Sequence, residues 1–181
     1  LEGVMRQLKE RLPTAASEAV RWVPAENIHL TLKFLGDVSL SNLELLKEML
    51  LAEVREHTPF EFSVGGLGAF PNSTRPRVLW VGVQAPPELS TLQNNIEARM
   101  ERIGYAREER PFSPHLTLGR VSRAATAREI HPLGETLKAT KVGFLGAVYA
   151  ESVCLFKSDL RPQGAVYTRL LAAPLAGRSP A

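Results

Sequence analysis

The sequence predicts an α+β fold of two similar lobes, because three of its features agree. The tetrapeptide His-Leu-Thr-Leu occurs twice, at residues 29–32 and 115–118. For average composition, Leu-Thr-Leu follows a given histidine on the order of once in two thousand cases, so a second accidental copy is improbable. Helical and strand periodicities alternate in two comparable sets around these copies. Short turns between neighbouring strands favour antiparallel sheets with helices on the outer faces.

The chain begins with a predicted amphipathic helix and a hairpin. Apolar residues recur at helical spacing up to Leu12, and Pro13 ends the helix because it lacks a backbone donor. Residues 20–23 and 28–35 have strand patterns, and the turn-like segment 24–27 lies between them. We therefore expect these two strands to pair.

A second helix and three strands complete the first set. Ser41 and Glu44 have the spacing of a capping box, which predicts a helix reaching to about His57. Paired glycines and a proline-rich loop separate the strands that follow. These strands are predicted at residues 60–64, 67–70 and 78–83.

The second set opens with a helix from near Pro87 to Ile103, and Gly104 is its expected stop. Pro114 leads into the strand of the second motif, and residues 122–140 are a variable stretch. Closing strands are predicted at 142–155 and 166–171. We expect one two-lobed domain over residues 1–174 and a loose tail over residues 175–181.

Composition excludes some classes of function. The 181 residues are 44% hydrophobic and 23% charged, and no apolar run approaches the roughly 20 residues of a membrane span. A membrane partner is therefore not expected. Because Cys154 is the single cysteine, an internal disulfide is excluded. Its apolar neighbours predict a buried, small hydrophobic residue, and the protein is expected in the reducing cytoplasm. A net charge of +3 permits an anionic partner such as nucleic acid, and a monomer is expected.

Strand geometry gives the motifs their predicted chemistry. Residues i and i+2 of a strand share a face, so His29 and Thr31 point one way, as do His115 and Thr117. Two such faces across a cleft would present two imidazoles and two hydroxyls to one phosphate. One neutral histidine can take a proton from water while a protonated one gives a proton to a leaving oxygen. The threonines would bind the non-bridging oxygens, and the reaction needs neither metal nor cofactor.

Other interpretations of the histidines are weaker. A single His-x-Thr is more often structural, but the duplication argues against that interpretation. Zinc usually takes three or four protein ligands, and neither motif has an adjacent Cys, Asp or Glu at a familiar spacing. A serine hydrolase is disfavoured because no Gly-x-Ser-x-Gly appears. His57 and His131 lie in polar contexts and are expected at the surface.

Both motifs with their flanks resemble the two signatures of the two-histidine (2H) phosphoesterases. The match covers Arg-Trp-Val-Pro at 21–24 through Gly36, and Arg-Pro-Phe-Ser-Pro before the second motif through Gly-Arg at 119–120. The chain is most similar to the RNA 2′,3′-cyclic phosphodiesterases, the ThpR or LigT-type 2′-5′ RNA ligases. Further matches are Phe70-Pro71-Asn72, residues 76–80, and Ser158-x-Leu160-x-Pro162-x-Gly164-x-x-Tyr167.

This resemblance implies a two-lobed fold around a central cleft and hydrolysis of an RNA terminal 2′,3′-cyclic phosphate to a 2′-phosphate. It implies that His29 is the proton donor and His115 the proton acceptor. Phe34 occupies a position that in this family stacks on the terminal base, although a core phenylalanine is an equal alternative. Arg120 would contact the phosphate or its neighbour, or lie solvated at the strand end.

The family usually opens with a short hydrophobic strand, whereas this sequence starts at its first helix. We expect that strand upstream; a molecule without it would lack part of one lobe's sheet and be less stable. Two hypotheses from different classes follow. The favoured one is a metal-independent phosphodiesterase acting on RNA ends or cyclic nucleotides, with possible reversible 2′-5′ ligation. The alternative is a non-catalytic module that binds RNA ends. Two complete motifs favour the enzyme.

Overall fold

Seven strands and five helices make up the described chain. The computed structural model describes residues 1–161 and 164–177. Its strands are β1 Val20–Trp22, β2 Phe60–Phe70, β3 Val78–Gln84, β4 His115–Val121, β5 Phe144–Ala150, β6 Ser152–Arg161 and β7 Gly164–Pro174. Its helices are α1 Glu2–Arg11, α2 Thr14–Glu18, α3 Leu40–Val54, α4 Pro87–Arg102 and α5 Ala127–Ala139, with a 3₁₀ turn at Ala25–Asn27.

The strands form two sheets. A five-stranded sheet has the order β1-β4-β3-β2-β5, and a second sheet pairs β6 with β7. The pairings of β1 with β4, β4 with β3, β3 with β2, and β6 with β7 are antiparallel. The predicted α+β class with two antiparallel sheets is confirmed. No helix in the described ranges is both long and apolar enough to cross a membrane.

The chain forms two compact units, each made of three chain segments. The first unit comprises Leu1–Leu30, Ser63–Gln84 and Pro114–Gly146, and the second comprises Thr31–Phe62, Ala85–Ser113 and Ala147–Ala181. The first unit holds most of the five-stranded sheet with α1, α2 and α5. The second holds α3, α4 and the β6-β7 sheet. The boundary after Leu30 divides the first copy of the motif.

Alternate residues of β3 and β4 form one wall of the first unit's core. Leu79, Val81 and Leu118 are fully buried, and Leu116 is 8% exposed. The helices contribute the buried side chains Leu8, Ala16 and Leu133. Because side chains alternate along a strand, the residues between these positions point to the opposite face of the sheet. That opposite face carries His115 and Thr117 of the second copy of the motif.

In the second unit, a buried carboxylate joins α3 to α4. Glu53 is 6% exposed and accepts hydrogen bonds from Arg99 Nε at 2.5 Å and from His57 Nε2 at 3.0 Å. Burial acts to raise the pKa of Glu53, but the hydrogen bonds and charges of His57 and Arg99 outweigh it and lower the pKa. His57 is therefore not the surface residue that was expected, whereas His131 is exposed as expected.

Residues 28–35 do not form the predicted strand. Leu30 makes an isolated antiparallel bridge to Leu116, and β1 pairs with β4 instead of with this segment. The predicted hairpin is therefore wrong. A 3₁₀ turn, Ala25–Asn27, lies where the hairpin turn was predicted. Both β1 and Leu30 pair with the distant strand β4 and not with each other.

The helix starts also differ from the prediction. Ser39 precedes α3 without a side-chain cap, and its hydroxyl lies 2.9 Å from that of Ser41, so the capping box at Ser41 is wrong. The capping box lies instead at the start of α5, in the stretch predicted as variable. There the Thr126 backbone N–H and hydroxyl donate to Glu129 and lower the pKa of that carboxyl.

The later strands differ in extent. One strand, β2, replaces the two predicted at 60–70, with a register shift between Gly65 and Leu67. The closing strand predicted at 142–155 is divided at Glu151, and Cys154 is half-buried, not buried. Pro162 of the late pattern lies outside the described residues.

The first residues of the predicted loose tail are held in place. Leu175 is 6% exposed, and its N–H donates to Glu151 O at 2.8 Å. The Gly177 N–H donates to His57 O at 2.9 Å. These bonds contradict a loose tail over 175–177, and residues 178–181 lie outside the described part of the chain.

Candidate active site

The second motif lies on β4, facing away from the first unit's core. His115 and Thr117 are half-buried, while Leu116 and Leu118 between them are buried. On the neighbouring β3, His115 is opposite Gly82 and Thr117 is opposite Trp80. The predicted shared face of His115 and Thr117 is therefore present in the fold.

Two aromatic side chains hold the ring of His115. Phe70 meets it in a T-shaped contact with centroids 4.9 Å apart and planes at 82°. Trp80 lies 6.4 Å from it and 5.3 Å from Phe70. A Cβ built on Gly68 would collide with the indole ring of Trp80, so only glycine leaves room for this packing. Sequence reasoning missed this aromatic support, although strand alternation could have placed Trp80 on this face.

His29 lies next to the second motif in the first unit. Because Leu30 bridges Leu116 in antiparallel fashion, His29 is opposite Thr117 and on the same face. His115 is then its diagonal neighbour, at about 7–8 Å by ordinary sheet geometry. The exposed His29 donates a hydrogen bond from Nδ1 to the Asn27 carbonyl at 2.8 Å. That bond fixes the tautomer, so proton exchange in a reaction falls to Nε2.

A bulge brings Arg120 to the same face. Strict alternation from His115 would point Arg120 into the core. However, Trp80 pairs with Thr117 while Leu79 pairs with Gly119, so β4 contains one extra residue at Leu118. Arg120 is consequently exposed between two buried neighbours. His29, His115, Thr117 and Arg120 thus share one face of the first unit.

The remaining predicted residues, Thr31 and Phe34, belong to the second unit. Phe34 is 74% exposed, which excludes the alternative of a core phenylalanine. Between them, the side chain of Lys33 is buried and binds α4 and the segment after it. Its Nζ lies 2.6 Å from Glu97 Oε2 and donates a hydrogen bond to Ala106 O at 2.7 Å. The side chains of Lys33 and Glu97 are only 4% and 8% exposed. This pair, which the sequence did not reveal, anchors the segment that carries Thr31 and Phe34.

The face that carries His29 and His115 also carries the hydroxyl of Thr117 and the guanidinium of Arg120. Within residues 1–161 and 164–177, no cluster of three or more His, Cys, Asp and Glu side chains could hold a metal ion. Imidazoles can transfer protons, and hydroxyl and guanidinium groups can bind phosphate oxygens. The arrangement suits acid–base chemistry on a phosphate ester.

Comparison with known protein families gives a match over most of the chain. Residues 3–158 match the model of the 2′-5′ RNA ligase superfamily. The RNA 2′,3′-cyclic phosphodiesterase of Methanothermobacter thermautotrophicus is 36% identical over 168 residues, covering 93% of this chain and 89% of that protein. The enzyme of the same name from Archaeoglobus fulgidus is 35% identical, covering 83% of this chain and 81% of its own length.

Solved structures agree with these sequence relatives. TT0787 of Thermus thermophilus has a TM-score of 0.73 at 27% identity, covering 99% of this chain and 95% of that one. Escherichia coli LigT complexed with 3′-AMP has a TM-score of 0.70 at 28% identity, covering 96% and 91%. The likeness therefore extends over nearly the full length of both chains.

Proposed function

The chain belongs to the 2′-5′ RNA ligase superfamily, and we propose that it is an RNA 2′,3′-cyclic phosphodiesterase with two catalytic histidines. The observation that carries this proposal is the register of the first unit. The Leu30–Leu116 bridge sets His29 opposite Thr117 and diagonal to His115, on the face away from the core. Two imidazoles at that spacing can serve opposite sides of one phosphorus atom.

The reaction opens the cyclic phosphate by attack of water. His115 takes a proton from the water as its oxygen forms a bond to phosphorus. The bond from phosphorus to the 3′ oxygen breaks, and the leaving oxygen receives a proton from Nε2 of His29. The product is a 2′-phosphate with a free 3′-hydroxyl. One proton enters the enzyme and one leaves it, so the two histidines exchange protonation states and re-equilibrate with solvent.

Hydroxyl groups assist by binding the non-bridging oxygens. Thr117 lies beside both histidines on the same face, and its hydroxyl can donate to an oxygen that gains charge in the transition state. For Thr31 and Phe34 the proposal rests on the family motif and on the exposure of the Phe34 ring. Thr31 is assigned the second hydroxyl contact, and Phe34 is assigned stacking on the terminal base.

Product identification in the presence of chelator tests this function. The protein is incubated with a 2′,3′-cyclic nucleotide and EDTA, and the product is read by phosphorus NMR. A 2′-monophosphate signal that disappears in His29→Ala and His115→Ala supports the proposal. Loss of turnover in EDTA would instead indicate a metal-dependent reaction.

The alternative of a non-catalytic module that binds RNA ends makes the opposite prediction. Such a module would bind cyclic-ended RNA and return it unchanged, so binding without product would contradict the enzyme proposal. Reversible 2′-5′ ligation would follow from the same groups acting with an RNA hydroxyl in place of water. The expected monomeric state and cytoplasmic location stay predictions.

A further inference from the structure

Two arginines face each other at the far end of the catalytic face. Arg21 on β1 is the direct cross-strand partner of Arg120 on β4, and both side chains are exposed. Direct partners in an antiparallel pair project from the same face, here the face of His115 and Thr117. Like charges in this position destabilise a sheet, so an anion bound between the two arginines would relieve their repulsion.

The described residues do not supply that anion. Over 1–161 and 164–177, each ion pair joins other side chains, and neither Arg21 nor Arg120 is bonded to a carboxylate. On the other side of β4, the partner of Arg120 is the apolar Val78. The two guanidinium groups therefore make a local positive patch open to solvent.

The patch continues the line of proposed catalytic groups. Along β4, the residues on this face are His115, Thr117 and Arg120 in that order. Beside β4, His29 lies next to Thr117, and Arg21 lies next to Arg120. A strand rises about 3.3 Å per residue, so Thr117 and Arg120 are at most about 10 Å apart at their backbones. Flexible arginine side chains at that distance can reach the phosphate next to one held at Thr117.

We propose that Arg21 and Arg120 together bind the phosphodiester that precedes the cyclic phosphate in an RNA strand. This inference rests on the proposed function, and it makes the preferred substrate an RNA end, not a cyclic mononucleotide. Guanidinium groups bind phosphate through paired, charge-assisted hydrogen bonds. A cyclic mononucleotide lacks this second phosphate and cannot use the subsite.

Kinetics on two substrates test the subsite. The kcat/KM is measured for a cyclic mononucleotide and for a short RNA ending in a 2′,3′-cyclic phosphate, in wild type, Arg21→Gln and the control Arg128→Gln on α5. We expect Arg21→Gln to lower kcat/KM for the RNA roughly tenfold more than it lowers kcat/KM for the mononucleotide. This is the effect of one lost charge-assisted hydrogen bond. The slope of log kcat/KM for RNA against log salt should fall in magnitude by about 0.7, the value for one phosphate contact to a single strand.

Arg128 provides a matched control because it is an exposed arginine of the same unit, and Arg128→Gln should leave both substrates unaffected. Equal effects of Arg21→Gln on both substrates, or no effect beyond the control, would overturn the subsite while the proposed function stands. Turnover of neither substrate by wild type would overturn the proposed function instead. In that case the subsite is tested by binding instead, with fluorescence anisotropy of an RNA that ends in a 2′-phosphate. If wild type and Arg21→Gln bind this RNA with equal affinity and equal salt dependence, the subsite is contradicted.

Discussion

The two copies of His-Leu-Thr-Leu have the same sequence but different structural support. The second copy lies within β4, where residues 115–117 pair with β3, and Phe70 and Trp80 pack against His115. The first copy has one bridge, at Leu30, and His29 is held by the carbonyl of Asn27, two residues away. A tetrapeptide therefore specifies the reactive groups, whereas distant parts of the chain specify how each group is held.

The two histidines are oriented by different kinds of contact. The Asn27 carbonyl accepts a hydrogen bond from Nδ1 of His29, so in the neutral ring the proton is on Nδ1. Nε2 is then the nitrogen that exchanges a proton with the substrate. Aromatic contacts with Phe70 and Trp80 fix the plane of the His115 ring. Three predictions test how far the two copies differ, and a fourth tests the buried carboxylate of the second unit.

The largest expected effect concerns the histidines. His29→Ala and His115→Ala should each reduce turnover of a cyclic nucleotide by about 10²–10⁴-fold, because each removes one proton-transfer group. With a 4-nitrophenyl phosphodiester, whose leaving group needs no proton, His29→Ala should recover most of the wild-type rate and His115→Ala should not. Nitrophenolate absorbance measures both rates. Equal deficits on this substrate would contradict the assignment of acid and base.

The next effect removes support from the first copy alone. Lys33→Met leaves Glu97 buried without its cation and should lower the free energy of unfolding by about 3–5 kcal/mol. Urea denaturation measures this loss. The double variant Lys33→Met/Glu97→Met should regain most of the stability, because two matched apolar groups replace the pair. A double variant as unstable as the single one would show that the charges themselves are needed.

A smaller effect disturbs the second copy. Gly68→Ala places a methyl group against the Trp80 ring and should cost about 1–3 kcal/mol of stability, the usual range for overpacking. It should also lower kcat, because Trp80 and Phe70 orient His115. Gly143→Ala is the control, since nothing lies within 4 Å of its added carbon. If the unfolding curves of Gly68→Ala and Gly143→Ala coincide, the packing argument is contradicted.

The smallest effect is a pH dependence in the second unit. The pKa of Glu53 is lowered in the fold from its ordinary value of 4.5, so its stabilising contribution is complete above that value. The contribution is lost as pH falls through the lowered pKa of the folded state. The stability difference between wild type and Glu53→Gln should therefore shrink at acid pH. Thermal unfolding of both proteins from pH 7 to pH 3 measures this difference. A difference that stays constant over this range would contradict the prediction.

Local patterns in the sequence predicted some elements well and others poorly. Strong periodicity predicted α1, α4 and the β3 strand, because apolar spacing reports directly on burial. Residues 28–35 were predicted as a strand because their alternation resembles one, yet the partner of Leu30 is a residue of β4 far along the chain. Pairing of that kind depends on tertiary structure, which local pattern does not contain.

The site was predicted in the same uneven way. His115 and Thr117 could be placed on one face because alternation holds over three residues of β4. The sequence placed His29 on a second face across a cleft, whereas it lies in the same unit as His115, next to the Leu30–Leu116 bridge. Alternation fails at the Leu118 bulge, so it would have pointed Arg120 inward. Lys33 gave no signal, because a lysine next to a motif is usually solvated, and its burial depends on Glu97 of α4.

The interleaving of the two units affects how this protein can be synthesised. The chain passes from one unit to the other five times, after residues 30, 62, 84, 113 and 146. On the ribosome, β1 and β3 emerge long before β4, which lies between them in the finished sheet. Their edges stay unpaired during that interval, when unpaired strands are prone to aggregate. Slower translation between β3 and β4 should therefore lower the yield of soluble protein more than slower translation after β4.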